Sequence, residues 1–122
     1  MILADTSIWV DHFRANDPEL ASQLRLGQIV IHPFIIAELA LGILPQRGKT
    51  LRSLDLLPSV RIAQLDEVRR MIELRRLFSL GIGLTDAHLI AAVFITPSTL
   101  LWTRDKRLRS VAESLDIHVN LQ

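Results

Sequence analysis

The chain opens on Met1-Ile2-Leu3-Ala4, a run with no polar side chain, and closes it with Asp5. Such a run suits a strand buried on both faces, as in a parallel sheet covered by helices. A helical pattern follows at once, with Ile8, Trp9 and Phe13 apolar behind Thr6 or Ser7 as a cap. An acid at the C-terminal tip of the first strand of an α/β sheet stands where such sheets keep their active sites. What converges on Asp5 therefore decides what the chain can do.

The rest of the sequence alternates in the same way. Asp17-Pro18-Glu19 starts a helix that Gly27 stops near Leu26. Gln28–His32 reads as a second strand. Pro33 opens a very apolar helix, Phe34–Ile43, and Arg47–Leu57 and Asp66–Phe78 read as two more, the latter with Asp66–Arg70 and Arg69–Glu73 at ion-pair spacing. Gly81-Ile82-Gly83 is a loop before a nearly uncharged helix, Thr85–Ile95. Thr99–Thr103 is a third strand and Arg104–Leu115 a last helix. Ser59–Ile62 and Ile117–Leu121 read as short strands at the sheet's margins. The expected fold is one domain over residues 1–122, an α/β/α sandwich of three layers around a mostly parallel sheet.

Composition narrows the chemistry. The 122 residues are 49% hydrophobic, enough for one real core. With no cysteine, disulfides, thiolate metal sites and a Cys nucleophile are excluded. No apolar run is long enough to span a membrane, and no basic leader precedes one, so the expected setting is the cytoplasm. The net charge of +1 makes the chain no global polycation. All but two of its cations are arginines; the exceptions are Lys49 and Lys106.

Most of the 13 acids lie in polar stretches, and four do not. Asp5 ends the first strand. Glu38 is the only charge in Phe34–Leu41. Asp86 opens the apolar helix, and Asp105 follows the third strand. Taken singly, each has an ordinary explanation: Asp5, Asp86 and Asp105 as helix caps, Glu38 as half of a buried ion pair. Taken together, two follow strands at the crevice end and two lie on helices that pack on the sheet. Four carboxylates in one crevice repel unless some stay protonated or a divalent cation intervenes. All-oxygen donors favour Mg²⁺ or Mn²⁺, and such a site suits phosphoryl chemistry.

Asp5-Thr6-Ser7 after an apolar run, the isolated Glu38, Thr85-Asp86-Ala87-His88-Leu89-Ile90-Ala91-Ala92 and Thr103-Arg104-Asp105 resemble a PIN domain. The short length is similar to the VapC-type toxins of toxin–antitoxin pairs. The resemblance implies a metal-dependent endoribonuclease, a homodimer, silenced by a VapB-like antitoxin. It maps Asp5, Glu38, Asp86 and Asp105 onto the family's acidic quartet. Asp5 and Asp86 become the firmest metal ligands, and Glu38 binds metal directly or through water. Thr6, Ser7 and Thr103 take the hydroxyl positions that orient the acids or a phosphate. Where some members carry a further acid, this chain has Arg107 and Leu108. The implied reaction is hydrolysis of an RNA phosphodiester by a metal-activated water, leaving a 5′-phosphate and a 3′-hydroxyl.

Arg104, Lys106, Arg107 and Arg109 form a basic run beside Asp105 that serves either RNA backbone, with Arg104, Lys106 and Arg107 as the candidate contacts, or a solvated helix face. His12, His32, His88 and His118 lack ligand spacing and read as structural. Trp9 and Trp102 read as core. Leu39, Leu41, Ile43, Leu44 and Leu54 exceed what a small core needs and suit an antitoxin or dimer surface. Two other function classes stay open: a catalytically silent PIN-like domain that binds RNA or protein, and a receiver-type phospho-acceptor. The receiver reading lacks the early acid pair and a strand-terminal lysine.

Overall fold

The computed structural model describes all 122 residues. Three strands, β1 (Ile2–Ala4), β2 (Ile29–Val30) and β3 (Leu100–Trp102), pair in the order β2-β1-β3. Both ladders are parallel: Leu3 sits opposite Val30 on one side and Leu101 on the other. Consecutive strand residues point to opposite faces. Leu3 and Ala4, and Leu101 and Trp102, are all fully buried. Both faces of the sheet are therefore covered by helices, which explains why these strands read as unbroken apolar runs.

Seven helices supply that cover: α1 (Thr6–Ala15), α2 (Pro18–Arg25), α3 (Pro33–Ala40), α4 (Arg47–Asp55), α5 (Leu65–Leu74), α6 (Leu84–Ile95) and α7 (Lys106–Ser114). α6 is the most deeply set, with Ala87 through Val93 all buried. Asp17 caps α2 through the Leu20 amide at 3.0 Å, with Pro18 in the first turn. Gly27 turns the chain out of α2 at φ +68°, a conformation that glycine adopts without strain.

Four expected elements come out markedly shorter. α3 ends at Ala40 rather than Ile43, and Arg47 donates to the carbonyls of Ala40 (2.6 Å) and Gly42 (3.3 Å) that the helix leaves open. α5 ends at Leu74, because the chain turns through Arg76 at φ +54° before it reaches Phe78. The strands at Ser59–Ile62 and Ile117–Leu121 reduce to single bridges, Ile31 to Ser59 and Leu101 to His118. The ion pairs expected within α5 do not form; the salt bridges are Arg104 with Asp11 and Asp17, and Arg109 with Glu113.

With β1 central, the chain leaves it for β2 on one side and reaches β3 on the other. The point where winding reverses lies between the carboxyl ends of β1 and β3. Asp5 and Thr103 are the residues immediately past those ends, and an open parallel sheet has its crevice there.

Candidate active site

Asp5 is the buried centre of this crevice, only 6% exposed. Thr103 Oγ1 donates to its Oδ2 at 2.6 Å. The Ser7 amide donates to Oδ1 at 3.0 Å, and the Ser7 hydroxyl makes a short bond to the same atom. Both hydroxyls are held in turn by backbone. The Arg104 amide donates to Ser7 Oγ at 3.0 Å and the Asp105 amide to Thr103 Oγ1 at 3.1 Å. The two amides occupy the acceptor side of each hydroxyl, so each hydroxyl proton is directed at Asp5. Burial pushes the Asp5 carboxyl above its ordinary value, and the bonds from Ser7 and Thr103 pull the other way.

The other three acids enter from three directions. Glu38, on α3, is exposed and accepts from Thr6 Oγ1 at 2.9 Å. Asp86, in the first turn of α6, is half-buried, and its Oδ2 takes the Gly83 amide at 3.1 Å. Asp105 caps α7 through Leu108 N at 2.9 Å. Asp5, Asp86 and Asp105 thus do serve helix starts, as capping alone would have it, but capping leaves Asp86 Oδ1 and Asp105 Oδ2 without a protein donor. Glu38 Oε2 is likewise free. None of the four forms a salt bridge within the chain.

Asp86 is the most telling group. Burial is the largest cause of its raised pKa, and the charges of Asp105, Asp5 and Glu38 push it further in the same direction. Each of the other three acids is therefore close enough to be felt at Asp86. None of the four carboxylates is paired with a protein cation in a salt bridge.

The match to a family model settles the class: the PIN domain model covers residues 2–114. This chain belongs to the PIN-domain family. The PIN domain is also 44% identical over 115 residues to Ribonuclease VapC32 of Mycobacterium tuberculosis, in strain CDC 1551 / Oshkosh and in strain ATCC 25618 / H37Rv alike. The match covers 93% of this chain and 93% of that relative. The receiver-type alternative falls with this assignment, and the VapC-type resemblance stands.

A divalent cation fits the donor set of this PIN domain, because the donors are all oxygen, anionic and unpaired. No three of the acids are gathered tightly enough to enclose one ion as they stand. Glu38 and Asp105 are the exposed members, each held by a single hydrogen bond, from the Thr6 hydroxyl and from the Leu108 amide.

The basic run divides. The Arg104 guanidinium is committed to Asp11 (2.8 Å), Asp17 (2.7 Å) and the Gln122 carbonyl (3.0 Å), above the Trp102 ring. Lys106 and Arg107 are exposed and form no salt bridge. The Arg107 side chain lies against Gly81, where a Cβ would stand 2.7 Å from its Cδ. That contact sets Arg107 beside the loop that leads into Asp86. Trp9 and Trp102 are buried, at 3% and 0% exposure, so neither offers a face for base stacking.

Sequence reasoning passed over one neighbour of the site. His118 Nε2 lies 3.1 Å from the Thr103 amide. Its signal in the sequence was only a histidine inside an expected edge strand, which points nowhere in particular.

Proposed function

We propose that this PIN domain is a Mg²⁺- or Mn²⁺-dependent endoribonuclease and the toxin of a toxin–antitoxin pair. The observation that supports the reading is that Asp5, Glu38, Asp86 and Asp105 face one crevice without a salt bridge to any protein cation, and that the Asp86 carboxyl is pushed above its ordinary value by burial first and then by the charges of the other three. The name of the M. tuberculosis relative, a ribonuclease, supplies the reaction class.

Asp5 and Asp86 would be the principal ligands, with Glu38 and Asp105 completing the set. When bound, the ion lowers the pKa of a water and neutralises charge developing on the phosphate. The chain's own part is positional. Ser7 and Thr103 aim Asp5 and oppose the burial that raises its pKa, Thr6 steadies Glu38, and Glu38 orients the attacking water. Water oxygen bonds to phosphorus as the bond to the 3′-oxygen breaks. The departing oxygen takes a proton, leaving a 3′-hydroxyl and a 5′-phosphate. Lys106 and Arg107 meet the RNA backbone beside the crevice, while Arg104 is held by its two acids.

The partner surface follows from exposure. Leu41 and Ile43 are 89% and 101% exposed, whereas Leu39 and Leu54 are core. Ile43 borders a cleft of about 740 Å³ between α1 and α3, to which Glu38, Thr6 and Arg14 also contribute. A VapB-like antitoxin laid there covers apolar surface and reaches the acids together. The proposal extends to homodimerisation and action in the cytoplasm; no helix is long and apolar enough to cross a membrane.

Calorimetry with Mn²⁺ and Mg²⁺ on antitoxin-free protein, beside Asp5→Asn and Asp86→Asn, tests the reading. Binding lost in both variants, with circular dichroism unchanged, and RNA cleavage lost with it, is the expected result. An unmodified protein that binds neither ion would instead leave a silent, partner-binding PIN domain.

A further inference from the structure

The outer edge of β3 carries an unusual repair. Leu101 pairs with the C-terminal segment as a parallel strand should: its amide donates to Ile117 O at 2.8 Å, and its carbonyl accepts from Val119 N at 2.9 Å. In a parallel ladder the next bond runs from Thr103 N–H to Val119 O. That bond is missing, because the chain turns away at Val119, whose carbonyl instead accepts from Leu121 N at 2.9 Å. The His118 imidazole occupies the gap. Its Nδ1 lies 2.6 Å from Val119 O and its Nε2 lies 3.1 Å from Thr103 N.

The ring's tautomer follows from its neighbours. A carbonyl oxygen at 2.6 Å requires the hydrogen on Nδ1, since two lone pairs repel at that distance. In the neutral ring Nε2 is then an acceptor, which is what the Thr103 amide needs. The imidazole thus relays one ladder bond, from the Thr103 amide through the ring to the Val119 carbonyl. Nε2 also lies 3.2 Å from Thr103 O, a contact that carries no hydrogen bond in this tautomer. Thr103 is fully buried, and its hydroxyl holds Asp5.

We propose that His118 is a positioning residue of the acid site: its imidazole replaces the missing rung between β3 and the C-terminal segment and so fixes Thr103, and through Thr103 the carboxylate of Asp5. The proposal deepens the nuclease reading and rests on it for its metal and activity arms. An amide side chain carries donor and acceptor across one atom, as the imidazole does, so glutamine can keep the relay and phenylalanine cannot.

The experiment compares His118→Phe and His118→Gln with the unmodified protein in three measurements: hydrogen exchange at the Thr103 amide, Mn²⁺ affinity by calorimetry, and kcat and KM on RNA. In the Phe variant the expected result is loss of Thr103 protection, about tenfold weaker Mn²⁺ binding and a kcat about tenfold lower at unchanged KM, at the low end for a group that orients a ligand. The Gln variant stays within about threefold throughout. Unprotected Thr103 in the unmodified protein overturns the proposal, as does undiminished Mn²⁺ affinity in the Phe variant. Equal defects in both variants, tracking melting temperature, also overturn it by reducing His118 to a packing role. Should the Phe variant not fold, the Gln variant decides through the same exchange and affinity readings. If the unmodified protein binds no Mn²⁺, the nuclease reading fails, and the exchange measurement alone judges the relay.

Discussion

Thr103 Oγ1 donates to Asp5 Oδ2 across 2.6 Å and 98 positions of sequence. This bond ties the carboxyl ends of β1 and β3 together at the point where the sheet's winding reverses. Thr103→Val keeps the shape and removes the donor. It leaves a buried carboxylate short of one bond and the Asp105 amide short of its acceptor. The expected cost is about 1–3 kcal/mol of stability, read by urea unfolding at pH 7, with weaker Mn²⁺ binding alongside. Thr103→Ser restores the hydroxyl and should recover most of both losses. A Val variant as stable as the unmodified protein would show that Ser7 alone satisfies Asp5.

The crevice should show the conflict between stability and function directly. Asp86 and Asp5 are both held above the ordinary carboxyl value, by burial first. The folded protein therefore keeps protons that the unfolded chain has released. The sign follows: without metal, these two groups cost increasing stability as pH rises past 3.8, and the cost levels off above their folded values. Asp86→Asn keeps an acceptor for the Gly83 amide and removes the charge. In EDTA its melting temperature at pH 7 should equal or exceed that of the unmodified protein by a few degrees. Its cleavage rate should fall by more than about a hundredfold, beyond the usual effect of losing a group that only orients a ligand. A variant both less stable and still active would place Asp86 among the caps.

How much of this was readable from residues alone depends on range. Three strands, the seven helices and the unusual settings of the four acids were legible because each rests on local facts: an apolar run, a cap, a charge where none belongs. Asp86 in a nearly uncharged helix and Glu38 in Phe34–Leu41 stand out against their neighbours without any tertiary knowledge. What stayed hidden depends on distant partners. Arg104 looked like one more member of a basic run, yet its guanidinium closes on Asp11 and Asp17, from elements that precede it by most of the chain. The α5 pairs had the right spacing but did not form, since exposed ions at i,i+4 gain only a few tenths of a kcal/mol. The end of α3 was misplaced because Leu41 and Ile43 carry on the apolar pattern while facing solvent. Periodicity alone does not tell a core-facing leucine from one kept for a partner.

His32 gives a separate pH signature. It is fully buried, its Nδ1 accepts from the Phe34 amide at 2.9 Å, and its pKa is lowered to about 4 by burial and then by the nearby His88. The folded protein keeps it neutral where the unfolded chain would be charged. Between pH 6.5 and about 4 the unfolded state binds the extra proton, so stability falls as pH falls through that window. Above 6.5 His32 adds no slope. The full effect is at most about 3 kcal/mol. His32→Asn keeps an N-cap acceptor and does not titrate. Its stability at pH 7 should drop from the cavity it leaves, but its slope across the window should flatten, with the remainder coming from His88, whose pKa is also lowered by burial. An unchanged slope in urea unfolding from pH 7 to pH 4.5 would assign the effect elsewhere.

The basic run should separate into a clamp and a contact surface. The fork of Arg104 meets Asp11, Asp17 and the Gln122 carbonyl at once, which a point charge on a lysine stem cannot reproduce. Arg104→Lys should therefore lower stability by about 1 kcal/mol while leaving the salt dependence of RNA binding as it was. Lys106→Ala and Arg107→Ala should do the reverse. Both side chains are exposed and unpaired, so their loss leaves the fold alone. Each should weaken RNA binding evenly across sequences and reduce the slope of log affinity against log salt by roughly 0.7, the value for one contact to a single strand. Titration of a labelled RNA at several salt concentrations, in EDTA so that nothing is cut, reads both effects in one series. A lower slope for Arg104→Lys, with none for the other two, would mean that the guanidinium leaves its two acids when RNA arrives.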